Sequence, residues 1–365
     1  MTAARPPDDR FRLARLARGL SQEAISLAAG VTRQAISGIE SGRFSPSLDV
    51  ALALSAALGT TVEELFGPAR DLPPIDVTLA EATTPPVGPG SARLLLAEVG
   101  DDVIAFPLAG DHTFAPGFRP ALGTAQHGEA GTTSVARRLA LASPILAVAG
   151  CDPALALLEG PLWRHVPSCG LLWQACGNAS GLELLATGAL HAAAVHRRAG
   201  EALTRPAGLE VIGFAAWREG LVISREHARR VGGIEDALGL KLRLANREAG
   251  SEARRLLDGA LETCGASGDE IAGYSSACTA HLLVTSAIAS GMADFGVASE
   301  PAALAYGLAF IPWQDEICEL HVPRALFGTP PVRALLDVLA GHELPAQLAA
   351  IAGYDATPCG RVLDG

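Results

Sequence analysis

Residues 20–46, LSQEAISLAAGVTRQAISGIESGRFSP, constrain this chain more than any other stretch, because they fit two short helices joined by a tight turn. Ser21 can cap a first helix whose apolar positions Ala24, Ile25 and Ala28 follow helical spacing, and Gly30 ends it. Thr32 can cap a second helix in which Ala35, Ile36 and Ile39 form the buried stripe. Arg33, Gln34, Ser37 and Gly38 then fall on the other side. Long amide and guanidinium groups near a helix N-terminus reach base edges in a major groove, and small residues beside them let the backbone approach. Gln22 is placed to hold a phosphate, while Thr32, Ser41 and Arg43 flank the second helix where they can grip the DNA backbone.

With Leu13 and Leu16 ahead of it, Leu52, Leu54 and Leu58 behind it, and TVEELF at 61–66 closing it, this segment resembles the phage-repressor, or XRE, type of helix-turn-helix over roughly residues 8–67. The resemblance implies double-stranded operator DNA as a partner. Residues 1–46 carry seven Arg against four acids, whereas the whole chain stands at −11, so residues 47–365 carry −14 and should be repelled by DNA. The larger part must do something else. A net +3 is also a modest electrostatic footprint, so a homodimer on two half-sites is expected.

At 365 residues and 49% hydrophobic composition the chain can bury more than one core. It has no uninterrupted apolar run of spanning length, and MTAARPPDDRFR lacks the apolar centre of a secretory signal, so a cytoplasmic protein without membrane contact is expected. Residues 68–91 are rich in Pro and Gly and read as a linker. Residues 92–140, opening with the alternating ARLLLAEVGDDVIAFPL, read as a small β-containing connector.

From 141 to 365 short apolar runs alternate with amphipathic helices: PILAVAG, CDPALALLEG, GLLWQAC, SGLELLATG and ALHAAAVH form one βαβ series. A second runs from KLRLAN to PAALAYGL, and residues 209–224 cross between the two. The expected architecture is multidomain: an all-α helix-turn-helix domain, the small β connector, and a two-lobed α/β domain enclosing a cleft. AGCDPAL, HAAAVH, WREGLVIS, LANREAGSEARRLLD, HLLVTSAIASGMADFGVA and AGYDATPCG, in that order, resemble the periplasmic-binding-protein-like domain related to molybdate-binding proteins, similar to type II solute receptors.

In a doubly wound lobe a ligand sits at the carboxyl ends of the strands, where helix N-termini aim N–H groups at it. The turns meeting there offer Cys151, Asp152, Asn178, Ser180, His196, Asn246, Arg247, Ser251, Arg254, Ser275, Ser276, Thr279 and His281 as candidate ligand-binding residues. The neutral donors and the two Arg suit an oxyanion, and the resemblance implies molybdate or tungstate as the effector. Asp152 and Glu248 would repel a bare anion unless turned away or paired, which keeps a larger ligand, such as a pterin cofactor related to molybdenum, in view.

The 7 Cys are odd in number and contain no C-x-x-C pair, so neither a disulfide framework nor a compact zinc site is indicated. Cys151, Cys278, His191, His196 and His281 nonetheless fall near the expected cleft, so a metal or redox sensor is the second reading. His191 and His196 lie five apart on one strand and point to opposite faces. No Gly-x-Ser-x-Gly, His-Glu-x-x-His or paired-carboxylate signature appears, so no catalytic residue is assigned. An enzyme of cofactor metabolism carrying a DNA-binding module is the third reading. The first is a one-component transcriptional regulator with a small effector.

Overall fold

A computed structural model describes residues 10–66, 74–80, 91–108, 114–115, 117–118, 121–126, 133–138, 144–203 and 206–363. The chain divides into two compact units, Met1–Leu72 and Pro73–Gly365.

The first unit contains five helices: α1 (Arg10–Ala17), α2 (Gln22–Ala28), α3 (Arg33–Glu40), α4 (Leu48–Leu58) and α5 (Val62–Phe66). Ser21 and Thr32 cap their helices as expected, and Ser47 caps α4 in the same way. Ser21 accepts from Ala24 N, Thr32 from Ala35 N and Ser47 from Val50 N. Phe11, Ile25, Ile36, Ile39, Leu54, Leu58 and Leu65 form the core. Leu13, Leu16 and Leu52 sit on the expected helices but face solvent, because Phe11 and Arg15 occupy the inward positions of α1, and Ala51, Leu54, Ser55 and Leu58 those of α4.

The second unit opens with seven strands: β1 (Pro74–Leu79), β2 (Ser91–Val99), β3 (Asp102–Pro107), β4 (Phe114–Ala115), β5 (Gly117–Phe118), β6 (Gly123–Gln126) and β7 (Thr133–Arg138). Five of them close a barrel in the order β1-β3-β2-β6-β7. β1 lies inside the stretch expected to be linker. It is held there by antiparallel pairing with β7 and parallel pairing with β3, a long-range closure that no local pattern announces. The rest of the linker reading, 68–73 and 81–90, lies outside the described residues. Val77, Leu79, Leu94, Leu96, Ala105, Ala125 and Ala136 fill the barrel, while Val99, Ile104 and Phe106 pack outward onto Ala147, Ala149 and Leu172 of the following domain.

That domain follows the expected alternation: β8 (Ile145–Ala149), α6 (Glu159–Arg164), β9 (Gly170–Gln174), α7 (Asn178–Ala186), β10 (Ala192–Arg198), β11 (Leu209–Ile223), α8 (Ile234–Gly239), β12 (Leu244–Arg247), α9 (Glu252–Thr263), β13 (Ala277–Cys278), α10 (His281–Ala289), β14 (Phe295–Ser299), α11 (Glu300–Ala305), β15 (Ala309–Pro323), α12 (Pro330–Ala340) and α13 (Glu343–Ala349). Its eight strands run in the order β13-β12-β14-β11-β15-β10-β8-β9. β8 pairs parallel with β9 and β10 on one side, and β12 parallel with β13 and β14 on the other. Each trio is the sheet of one lobe. β8 and β14 are apolar and almost wholly buried, as strands covered on both faces require.

β11 and β15, 15 residues each, join the lobes as an antiparallel pair. β15 carries β10 along Glu316–His321, and β11 carries β14 along Glu219–Ile223. Register shifts at Gly213/Ala215 and at Glu219/Gly220 bend this crossover. A Cβ at Gly220 would run into the carbonyl of Ile311, so only glycine fits there. Among the described residues no helix is long and apolar enough to cross a membrane.

Candidate functional site

In the helical unit, Arg33 and Gln34 stand exposed on the first turn of α3, and Arg43 is exposed just beyond it. Thr32 and Ser41 are exposed at the two ends of α3. Thr32 caps the helix, and Ser41 Oγ donates to Gly38 O at 3.2 Å. Ser37 is half-buried. Two positions differ from expectation. Gly38 is buried beneath the Phe44 ring, which occupies the space a side chain would need, so it seats Phe44 rather than facing outward. Gln22 turns its amide inward, Nε2 donating to Glu40 Oε2 at 2.7 Å, because Glu40 and Arg15 form a buried ion pair with an acceptor to spare.

In the second unit the carboxyl ends of β8, β10, β12 and β14 meet the crossover strands at one buried polar centre. Cys151 follows β8, His196 lies on β10, Arg247 ends β12, Ser299 ends β14, and His281 opens α10. Cys151 Sγ stands 3.6 Å from His281 Nε2, and Cys151, His196 and His281 each place a donor atom within 4.8 Å of the others. His281 Nδ1 receives Ser299 N–H and Arg247 Nη1, each at 3.3 Å. Two donors on one nitrogen require that ring to be neutral with its proton on Nε2. Burial, then Arg247 and His196, hold the His281 pKa well down.

His196 differs. Its burial opposes charge, yet Cys151, Glu316 and Glu219 around it raise its pKa well above the usual imidazole value. Its Nδ1 lies 3.2 Å from Glu316 Oε2 and 3.8 Å from Glu219 Oε2. Glu219 is fully buried and accepts no hydrogen bond at either oxygen among the described residues. Burial pushes its carboxyl up to about 7; His196 works against that shift and Glu316 adds to it. Arg247 is 1% exposed and is neutralised by Glu248, with Nε to Oε2 at 2.8 Å and Nη2 to Oε1 at 2.9 Å.

Asp152 borders this centre. Its Oδ1 accepts from Ala154 N and from the Tyr354 hydroxyl, its Oδ2 has no partner among the described residues, and burial lifts its carboxyl to about 6. Trp217 packs between His196 and Tyr354, with ring centroids 5.6 Å and 5.9 Å away. Cavities of about 780 and 510 Å³ flank the crossover, the first lined by Arg198, Glu252, Arg255, Trp313 and Gln314, the second by Trp217, Glu316 and Tyr354 among others.

Of the predicted ligand-binding residues, the fold thus gathers Cys151, Asp152, His196, Arg247 and His281. Others support it from behind. Asn178 clamps the His196 backbone through both amide atoms, Asn246 holds Tyr274 O and the Arg247 N–H, and Ser251 caps α9. Arg254 is turned away, paired with Asp258 and stacked over Tyr274. Ser275 and Ser276 are exposed, Thr279 is half-buried, and Ser180 sits half-buried on α7. His191 lies elsewhere, accepting from Ala147 N, as its opposite facing requires. Glu219, Glu316 and Ser299 escaped the sequence reading. A lone Glu inside the apolar run WREGLVI was the available signal for the first.

Residues 11–65 match the family model described as helix-turn-helix, and residues 160–340 match that of a PBP superfamily domain. An HTH-type transcriptional regulator of Methanothermobacter thermautotrophicus is 47% identical over 49 residues, 13% of this chain and 71% of that protein. A protein from the 5′ region of the ferredoxin 2Fe-2S gene of Clostridium pasteurianum is 32% identical over 109 residues, 30% of this chain and 96% of that one. YvgK of Bacillus subtilis is 30% identical over 146 residues, which is 40% of this chain and 47% of YvgK, so the chain spans about half the length of that relative.

Proposed function

This chain belongs to the helix-turn-helix transcriptional regulators that carry a domain of the PBP superfamily, and from that premise we propose a one-component mechanism. The helical unit reads operator DNA in the cytoplasm, with Arg33 and Gln34 of α3 at base edges and Arg43 on a phosphate, as one half of a homodimer. The two-lobed domain binds a small effector where the lobes meet, and the effector alters operator affinity by binding one arrangement of the lobes better than another. The domain acts by binding and not by catalysis.

The observation that carries this reading is the buried polar centre at the strand ends, where Asp152, Glu219 and Ser299 hold polar atoms without partners among the described residues. Burying such atoms is costly unless something satisfies them. An oxyanion effector, molybdate or tungstate, draws support from the His196 ring, whose pKa is raised well above the usual imidazole value, whereas the Arg247 guanidinium is already paired with Glu248. Asp152, Glu219 and Glu316 count against a bare dianion and favour a ligand that also brings hydrogen-bond donors, such as one related to the molybdenum cofactor.

The test is a thermal-shift titration of the reduced full chain with molybdate, tungstate and sulfate, followed by operator binding at the same concentrations. A specific effector at a hundred times its dissociation constant adds about 2.7 kcal/mol to the folded state. Stabilisation by molybdate or tungstate but not sulfate, with a change in operator affinity, supports the oxyanion. Stabilisation that leaves operator affinity unmoved would sink the regulatory coupling.

A further inference from the structure

His196 is arranged as a metal ligand is, and His281 shares one of its carboxylates while its Nδ1 also accepts from Ser299 N–H and Arg247 Nη1. His196 Nδ1 faces Glu316 Oε2 at 3.2 Å and Glu219 Oε2 at 3.8 Å, and His281 Nδ1 faces Glu219 Oε1 at 3.7 Å. Glu219, with neither oxygen hydrogen-bonded among the described residues, therefore lies beside both rings. A carboxylate on the far nitrogen of a histidine is the usual outer partner of a metal-bound imidazole, where it fixes the ring and raises its basicity. That leaves Nε2 of each ring for the side where Cys151 lies.

We propose that Cys151 Sγ, His196 Nε2 and His281 Nε2 bind one borderline divalent cation of the zinc class. Ligands about 2.3 Å (sulfur) and 2.1 Å (nitrogen) from a tetrahedral ion stand ~3.6 Å apart. Cys151 Sγ and His281 Nε2 are 3.6 Å apart. The three donors come from β10, from the turn after β8 and from the start of α10, so they join both lobes. One thiolate with two neutral imidazoles is a donor set that suits such an ion over a hard one. Three protein ligands leave the fourth position open to water or an incoming anion.

On binding, the cation takes the place of the protons on Cys151 Sγ and His196 Nε2, which leave to solvent, and the Nε2 proton of His281 moves to that ring's Nδ1. There Glu219 Oε1, 3.7 Å away, becomes its acceptor, Ser299 N–H and Arg247 Nη1 give up their bonds to that nitrogen, and Arg247 stays on Glu248. This inference is independent of the oxyanion reading, since it needs neither DNA nor an anion to be tested.

The experiment is a titration of the metal-free, reduced full chain with Co²⁺, a spectroscopic substitute for Zn²⁺. The expected result is one equivalent bound, a near-ultraviolet thiolate-to-cobalt band, and displacement by Zn²⁺. Cys151→Ser should abolish the band and Cys278→Ser should keep it. Glu219→Gln should keep it with affinity 10–100-fold weaker. Absence of the band in the parent protein, or its persistence in Cys151→Ser, overturns the site. If Cys151→Ser does not fold, His281→Gln decides: the band must remain with at least tenfold weaker binding, and unchanged affinity overturns the assignment. A molybdate response that survives in metal-free Cys151→Ser leaves the oxyanion reading standing whatever the cobalt titration shows.

Discussion

Glu40→Ala should strongly destabilise the DNA-binding unit while leaving the rest of the chain folded. Arg15 and Glu40 are joined by Nε to Oε1 at 2.6 Å and Nη2 to Oε2 at 3.3 Å, with side chains only 8% and 6% exposed. Gln22 adds a third bond to the carboxylate, and Arg15 Nη1 donates to Leu20 O at 2.6 Å, so the pair ties α1, α2 and α3 together. Removing the carboxylate strands a guanidinium in the core, a loss of about 3–5 kcal/mol. A helical unit of this size has roughly 3–9 kcal/mol in all, at about 0.05–0.15 kcal/mol per residue. With about 4–8 °C lost per kcal/mol, its midpoint should fall by at least ~12 °C. All 4 Trp lie at position 163 or beyond, so tryptophan emission reports only the second unit and far-ultraviolet circular dichroism adds the first. Arg15→Met with Glu40→Leu should recover most of the loss, because an apolar pair needs no desolvated charge. A shift below about 4 °C in Glu40→Ala, or a double variant no better than the single, would refute the reasoning.

Gln34→Ala should relax base preference at one operator position, by about 1–3 kcal/mol, whereas Arg43→Ala should weaken binding to every sequence alike and lower the salt slope by about one. Equal loss of specificity in both, measured by binding to single-base operator variants, would contradict the assignment. His191 is buried and its pKa is lowered to about 4, chiefly by burial, so between the usual 6.5 and that value the unfolded chain binds the extra proton. Stability is thus full above pH 6.5 and falls toward pH 4 by up to ~1.4 kcal/mol per unit. His191→Leu should flatten that part of the urea-stability profile read by tryptophan emission, and an unchanged slope would count against it. Gly220→Ala should destabilise the second unit by about 1–3 kcal/mol through its clash with the Ile311 carbonyl. The check is the denaturant midpoint of the same emission, and no shift would mean the bulge can relax.

The helical unit was legible because its information is local. Ser21, Thr32 and Ser47 cap helices by reaching three residues ahead, and Ile36 and Ile39 mark a buried face by spacing alone. The alternation of β8, α7, β10, α9 and β14 was readable on the same ground. Gly38 and Gln22 were misread because what turns them inward is Phe44 from beyond the helix and Glu40 eighteen positions away.

The polar centre divides along the same line. Cys151, Asp152, His196, Arg247 and His281 could be nominated because strand ends in an α/β lobe are known places for a ligand. Which of the nominated residues meet, and that Glu219 and Glu316 stand behind the two imidazoles, depended on the β11–β15 crossover, a pairing between segments about a hundred residues apart. Caps, periods and charge balance are short-range properties written in neighbouring residues, so the sequence alone determined the DNA-reading unit and the order of the lobes. Strand pairing across the chain sets burial, and burial sets which charges face each other. That is why the barrel closed by β1, the neutral His281 beside a charged His196, and the unsatisfied Glu219 were decided only in the tertiary structure.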